Sequence, residues 1–296
     1  MTLQTSEQPD SRTVLVRVRA AVPSLRPSER RIAALLLDDP ATTASLSISE
    51  LAALCDTSTT SVVRFYRRIG YERYQDLRID LTRESTRERI ENTTLPAVSG
   101  DIDQHDSLAD IVSKVASNET LSIADTAKTL DTEALAAAVE LVRKARRIDI
   151  FGAGASSFVG LDLQQKLSRI GLTALSWPDA HAAWTTASVL DGSCVALAIS
   201  HSGTTIDTVE YLRLARAAGA STIALTNFAQ SAIAENADVV LTTAARETKF
   251  RSGALGSRIA QLMVVDCLFT GVAQAAYDQS IAALRTTYAA VHHRSS

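Results

Sequence analysis

Between residues 148 and 243 short apolar runs alternate with amphipathic stretches, and this alternation limits the fold more than any other feature of the chain. Runs at 148–151, 173–177, 193–200, 221–226 and 239–243 read as strands. The stretches at 156–170, 180–190, 206–218 and 230–236 read as helices. The runs are continuous rather than alternating in polarity, as strands covered on both faces are. Consecutive parallel strands need a crossover, which the helices supply. The expected fold is an α/β domain with a parallel five-stranded sheet flanked by helices in three αβα layers.

The first third of the chain has no such strands. Residues 1–12 are polar and read as disordered. From Val14 to about Arg89 the spacing is helical. Pro27 opens a helix through Ile32, Leu35 and Leu36, which Asp38-Asp39-Pro40 stops. Ser47 and Glu50 form a capping-box pattern ahead of a helix running to Cys55. Asp56-Thr57 make a turn, Ser58 caps a helix from Thr59 to Ile69, and Gly70 ends it. A fourth helix is expected at 71–81. Leu51, Ala52 and Leu54 give one helix an apolar face; Val62, Phe65 and Ile69 give the next one its own. A short turn between two such helices is a helix-turn-helix arrangement. Ser58, Thr59, Thr60, Ser61, Arg64, Arg67 and Arg68 then fall on the cap and exposed positions of the second helix. Small hydroxyls can approach base edges or phosphates, and arginines can pair with guanine or clamp the backbone of double-stranded DNA. A plain helical hairpin with an arginine face would show the same periodicity but would not need those hydroxyls.

Net charge is −3, so no global attraction to nucleic acid exists. Eight arginines lie between Arg64 and Arg89 among five acids, a local excess of three. Beyond Arg73 the signs alternate at helical spacing, which reads as a solvated face. Pro96, Gly100 and several acids mark residues 90–106 as a linker. The expected organisation is a helix-turn-helix domain at 13–89, that linker, and an effector domain at 107–292 with its core at about 138–277.

Two strand-to-helix turns are rich in hydroxyls: Gly152-Ala153-Gly154-Ala155-Ser156-Ser157 and Ser200-His201-Ser202-Gly203-Thr204-Thr205. Unpaired N–H groups and the positive end of a helix dipole suit such turns to a phosphate. The first turn approximates a dinucleotide fingerprint, and Asp179 beyond the next strand could meet a ribose hydroxyl. Ser157, however, stands where close helix packing requires Gly or Ala. A cradle for one phosphate, built from Ser156, Ser157, Ser200, His201, Ser202 and Thr205, is the better account.

These residues carry a resemblance. Phe151–Ser157 and Ile199–Thr205 resemble the two phosphate signatures of the SIS (sugar isomerase) domain, which is a flavodoxin-like fold. Leu46–Ala52 with Ser61–Tyr71 resembles the helix-turn-helix of RpiR-type transcription regulators, and Arg251–Gln261 is similar to their late helix. The resemblance implies a regulator that reads an operator with its first domain and senses a phosphorylated sugar with its second. It implies phosphate contacts from Ser156, Ser200, Ser202 and Thr205, with His201 between them. Two departures stand out: Thr204 replaces the usual Glu, and Asp56-Thr57 replaces a Gly-Val pair. Asp tolerates left-handed geometry, so the second change is mild.

SIS domains also occur in sugar-phosphate isomerases, the alternative reading. Glu247 is the best candidate base or sugar contact, with His201 and His181 behind it. No paired acid and base is visible, so no enzyme activity is expected. No cofactor or metal is expected either; His292-His293 reads as exposed tail. Cys55, Cys194 and Cys267 read as separate reduced thiols. No leader segment and no apolar run near ~20 residues appears, so the chain is expected in the cytoplasm. The apolar stretch 253–275 reads as half core and half subunit interface, implying a dimer or tetramer.

Overall fold

In the computed structural model the described residues are 14–91, 103–246 and 254–292. The chain divides into two compact units between residues 97 and 98. The expected disorder of residues 1–12, most of the expected linker, Glu247 and His293 lie outside the described residues.

The first unit is helical: α1 (Val14–Ala21), α2 (Pro27–Asp38), α3 (Pro40–Ser45), α4 (Ile48–Leu54), α5 (Thr59–Arg68) and α6 (Tyr74–Glu91). Its core contains Leu15, Ile32, Leu36, Leu51, Val62, Phe65, Leu77 and Leu81. The element α3 was not expected from the sequence. Asp39-Pro40 does end α2, but it also starts α3: Asp39 Oδ1 accepts from Thr42 N at 3.0 Å, and Pro40 takes the first helical position. The fourth expected helix begins later and runs further, as α6. Arg78 on α6 donates to Ala44 O and Ser45 O, satisfying carbonyls at the end of α3.

The second unit opens with α7 (Leu108–Thr129) and α8 (Thr132–Lys144). The βα series follows: β1 (Arg147–Gly152), α9 (Ala155–Arg169), β2 (Ala174–Ser176), α10 (Ala180–Ala187), β3 (Cys194–Ile199), α11 (Ile206–Ala217), β4 (Ser221–Thr226) and β5 (Val239–Thr242). Then come α12 (Leu255–Ala275) and α13 (Tyr277–His292). The five strands are parallel in the order β2-β1-β3-β4-β5. Every residue of β3 is buried. Its odd positions, Val195, Leu197 and Ile199, meet α8, α9 and α12. Its even positions, Cys194, Ala196 and Ala198, meet α10 and α11. The three expected αβα layers result. The helix expected at 230–236 is only a 3-10 turn at Ala234–Asn236. Residues before it are held otherwise: Ser231 Oγ donates to Phe228 O, and Ile233 N donates to Gly203 O.

The length and composition of α12 would let it cross a membrane. Its packing against α7, α8 and α9 makes it a core helix of this unit.

Candidate functional site

The strand order places the chain reversal between β1 and β3, whose partners run from Arg147↔Cys194 to Gly152↔Ile199. Connections leave these neighbours toward opposite faces, so a crevice opens at their carboxyl ends. Both hydroxyl-rich turns begin there. They enclose a cavity of about 300 Å³ lined by Ser156, Ser200, His201, Ser202, Thr205, Ala254, Ser257, Arg258 and Gln261, among others. Five of the six residues expected in the cradle are thus together. Ser157 is the exception: it does not line the cavity, and its hydroxyl donates to Gly154 O at 2.7 Å. One helical step from Ser156 is about 100°, which turns its neighbour off the cavity wall.

Local geometry aims the hydroxyls. A Cβ on Gly152 would lie 2.9 Å from the Ser156 backbone, so only glycine lets α9 start this close to β1. Ser200 Oγ accepts from Gly203 N at 3.2 Å and shares a hydrogen bond with Thr205 Oγ1 at 3.1 Å. Ser202 Oγ accepts from both Thr204 N and Thr204 Oγ1, at 3.3 and 3.2 Å. Acceptance from two donors leaves the Ser202 proton to be donated elsewhere, which suits an acceptor-only phosphate. Thr204 is exposed and does not line the cavity; it acts on Ser202. A carboxylate at 204 could not donate to Ser202 through its ionised side chain. Thr205 caps α11 without a side-chain cap bond, leaving its hydroxyl for the site.

Three polar lining residues were missed from sequence: Ser257, Arg258 and Gln261 on α12. Arg258 is the one Arg or Lys among the described lining residues. His201 packs edge-on to Phe228 at 5.7 Å between centroids. Asp179, the acid a dinucleotide would need, caps α10 by accepting from Ala182 N. His181 is exposed and off the cavity, and His292 stacks on Tyr288. Among the described residues no cluster of three His, Cys, Asp or Glu side chains could hold a metal.

In the first unit α4 and α5 pack together across a tight turn, with α5 also against α2. Ser47 and Glu50 form the expected capping box, and Ser58 Oγ accepts from Ser61 N. Asp56 adopts φ 45°, the left-handed geometry its side chain tolerates. Arg31 fastens the turn by donating to Cys55 O and Asp56 O at 2.8 and 2.5 Å. Burial pushes the Cys55 thiol up, against the opposing effect of Arg31.

Two expectations about faces fail. Leu54 is 64% exposed, because the short α4 turns Leu51, Ala52 and Cys55 inward instead. Ser61 is buried, since it shares the inward side of α5 with Val62 and Phe65, and its Oγ bonds Ser58 and Arg64. The outer side carries Thr60, Arg64 and Arg67 at i, i+4 and i+7, with Thr59 exposed beside them. Arg68 is exposed too but turns back onto its own unit, donating to Ser24 O at 2.8 Å with Glu29 3.6 Å away.

Family models match both units. The helix-turn-helix domain of the rpiR family matches residues 13–88, and the SIS domain matches residues 141–271. An uncharacterized HTH-type transcriptional regulator of Caldanaerobacter subterraneus is 37% identical over 93% of this chain and 95% of its own length. One from Bacillus subtilis is 34% identical over 90% and 93%. The chain belongs to the RpiR family of transcription regulators. Among solved structures, the Vibrio vulnificus NanR protein complexed with ManNAc-6P matches 96% of this chain and 100% of its own, at 28% identity and TM-score 0.58. The sugar isomerase domain of an RpiR transcription factor from Sphaerobacter thermophilus matches at 27% identity and TM-score 0.53, over 59% and 96%. As an RpiR regulator, the chain pairs a helix-turn-helix unit with an SIS unit whose β1 and β3 turns meet at one cavity.

Proposed function

We propose that this regulator senses a phosphorylated sugar at the β1/β3 crevice and changes its affinity for an operator in response. The observation that carries the reading is the convergence of Ser156, Ser200, Ser202 and Thr205 on one small cavity with Arg258 on its wall. Hydroxyl donors, two helix N-termini and a guanidinium all favour a dianion. The relative whose structure holds ManNAc-6P supports a sugar on that phosphate. Thr59, Thr60, Arg64 and Arg67 face the DNA, Ser58 sets the start of their helix, and Arg68 braces it. The protein works as a homo-oligomer in the cytoplasm. An apolar groove of about 800 Å³ along α12, lined by Ile123, Leu135, Ile259, Leu262 and Met263, supports a subunit contact there.

The site binds without turnover. Isomerisation needs a base beside the sugar carbons, and among the described lining residues only His201 offers one. Glu247 remains the sequence candidate for a sugar contact. The test is a thermal-shift screen of sugar phosphates on the full-length protein and its Ser156→Ala/Ser202→Ala variant. Ligands should raise the melting temperature of the first and not the second. An equal rise in both would remove the phosphate assignment, and turnover of fructose 6-phosphate would favour an isomerase.

A further inference from the structure

We propose that Gln261 reads the sugar of the effector while the serines hold its phosphate. The inference rests on the sugar-phosphate reading above and adds a residue to it. Gln261 is 1% exposed and lines the cavity. Its buried Nε2 has no hydrogen-bond partner. Buried polar groups in native proteins are nearly always paired, so an unmatched donor on a side chain that lines a cavity asks for a ligand acceptor. Its Oε1 has one donor, the Ser156 hydroxyl, at 3.4 Å. Good O–H···O bonds are about 2.7–2.8 Å, so this contact is weak.

A phosphate offers acceptors only. To bind it, Ser156 must turn its proton from Gln261 to the phosphate, and little is lost because the surrendered bond is long. Gln261 then presents a free carbonyl and a free N–H₂ side by side on one planar amide. A sugar hydroxyl, which both accepts and donates, can engage both; an N-acyl carbonyl can engage the N–H₂. The chemistry common to both is an acceptor oxygen on the sugar. Capture of phosphate by Ser156 and reading of the sugar by Gln261 are therefore linked, and inorganic phosphate completes only the first half.

The test is calorimetric titration of the full-length protein with inorganic phosphate, a hexose 6-phosphate, its 2-deoxy analogue and an N-acetylhexosamine 6-phosphate. Gln261→Met keeps the volume and removes both polar atoms. It should leave inorganic phosphate affinity within about twofold and weaken the best sugar phosphate by about fivefold or more. Ser156→Ala should weaken both. A loss confined to the hydroxy sugar assigns a hydroxyl, and one confined to the N-acetyl sugar assigns the carbonyl. Equal losses for phosphate and sugar phosphate, or no loss for either, overturn the role of Gln261 while leaving the sensor intact. A wild-type protein that binds none of the four removes both readings. A second readout needs no variant to fold: the Gln261 side-chain amide protons in wild-type protein should shift with the sugar phosphate and less with inorganic phosphate. Absence of a shift with the sugar phosphate overturns the proposal.

Discussion

Gly203→Ala should be among the costliest single-methyl changes in the second unit. Gly203 has φ +66°, and an added Cβ would lie 2.3 Å from Ser231 Oγ and 2.5 Å from Ser231 Cβ. The hydroxyl could rotate away at the loss of its 2.7 Å bond to Phe228 O, but the Cβ could not. Left-handed geometry costs a non-glycine residue about 1–2 kcal/mol, and overpacking adds about 1–3 kcal/mol. The expected total is about 2–5 kcal/mol. Gly171→Ala is the control: φ is +84°, but nothing lies within 4 Å of the added Cβ, so only the conformational part applies. Urea unfolding followed by tryptophan fluorescence reports this unit alone, because both tryptophans, Trp177 and Trp184, lie in it. The midpoint difference at constant slope gives the cost. Equal costs for the two variants, or less than about 1 kcal/mol for Gly203→Ala, would refute the packing argument. The same variant should weaken phosphate binding, since Gly203 O accepts from Ile233 N at 2.9 Å and any shift displaces Ser200 and Ser202.

Two further outcomes concern the first unit. Arg64→Ala should lower the salt slope of binding to a mixed-sequence duplex by about 0.9 if it meets a phosphate, or cost about 1–3 kcal/mol on the operator alone if it meets a base; no change in either moves it to the solvated face. Arg68→Ala should leave that slope unchanged and lower stability by about 1–3 kcal/mol, because it removes a charged donor from Ser24 O and from beside the buried Glu29. The Tyr74 phenol, pushed up to about 12 by burial, donates to Leu46 O at 3.1 Å. Folding therefore holds its proton more tightly than the unfolded chain does. Its contribution is intact below about pH 10 and is lost as pH rises through about 12. Unfolding midpoints should fall over that window, and Tyr74→Phe should flatten the fall.

The parts of the fold legible in the sequence were those fixed by local chemistry. Continuous apolar runs reported strands covered on both faces, and Ser47, Ser58 and Gly70 marked real helix ends. What failed depended on partners far away in the chain. Pro40 looked like a stop because nothing local says that Arg78, 34 residues beyond Ala44, will satisfy the Ala44 carbonyl. Residues 230–236 had helical spacing but are drawn onto the Gly203 turn. Leu54 and Ser61 were misplaced because α4 and α5 are too short for periodicity to fix a face to within one residue. The site divides the same way. Ser156, Ser200, His201, Ser202 and Thr205 stood in recognisable turns at strand ends. Ser257, Arg258 and Gln261 sat in a helix that read as core and interface. Their signals were the likeness of Arg251–Gln261 to the family's late helix and polar residues at i, i+1 and i+4 near the start of a mostly apolar helix, and only the sheet topology says that this stripe faces the β1/β3 crevice.

That stripe is also tied to parts of the unit beyond the pocket walls. An added Cβ on Gly256 would lie 2.6 Å from Arg246 O, 3.1 Å from Ser122 Oγ and 3.4 Å from Asn118 Nδ2, so α12, the chain after β5 and α7 meet there without slack. The next residues of α12 are the pocket-lining Ser257 and Arg258. On the other side, α7 grips the same chain through three bonds: Arg246 N to Ser122 Oγ, the buried Ala244 N to Thr126 Oγ1, and Arg246 Nε to Asp125 Oδ2 at 2.8 Å. Close-packed interiors shift between discrete arrangements rather than stretch. A ligand that drew the first turns of α12 toward the serines would disturb this packed junction at Gly256, where α12 meets both α7 and the chain that α7 holds. Of the helices packed on α12, α7 is the one that comes first in the second unit, so the junction ties the pocket-lining stripe to the N-terminal part of that unit.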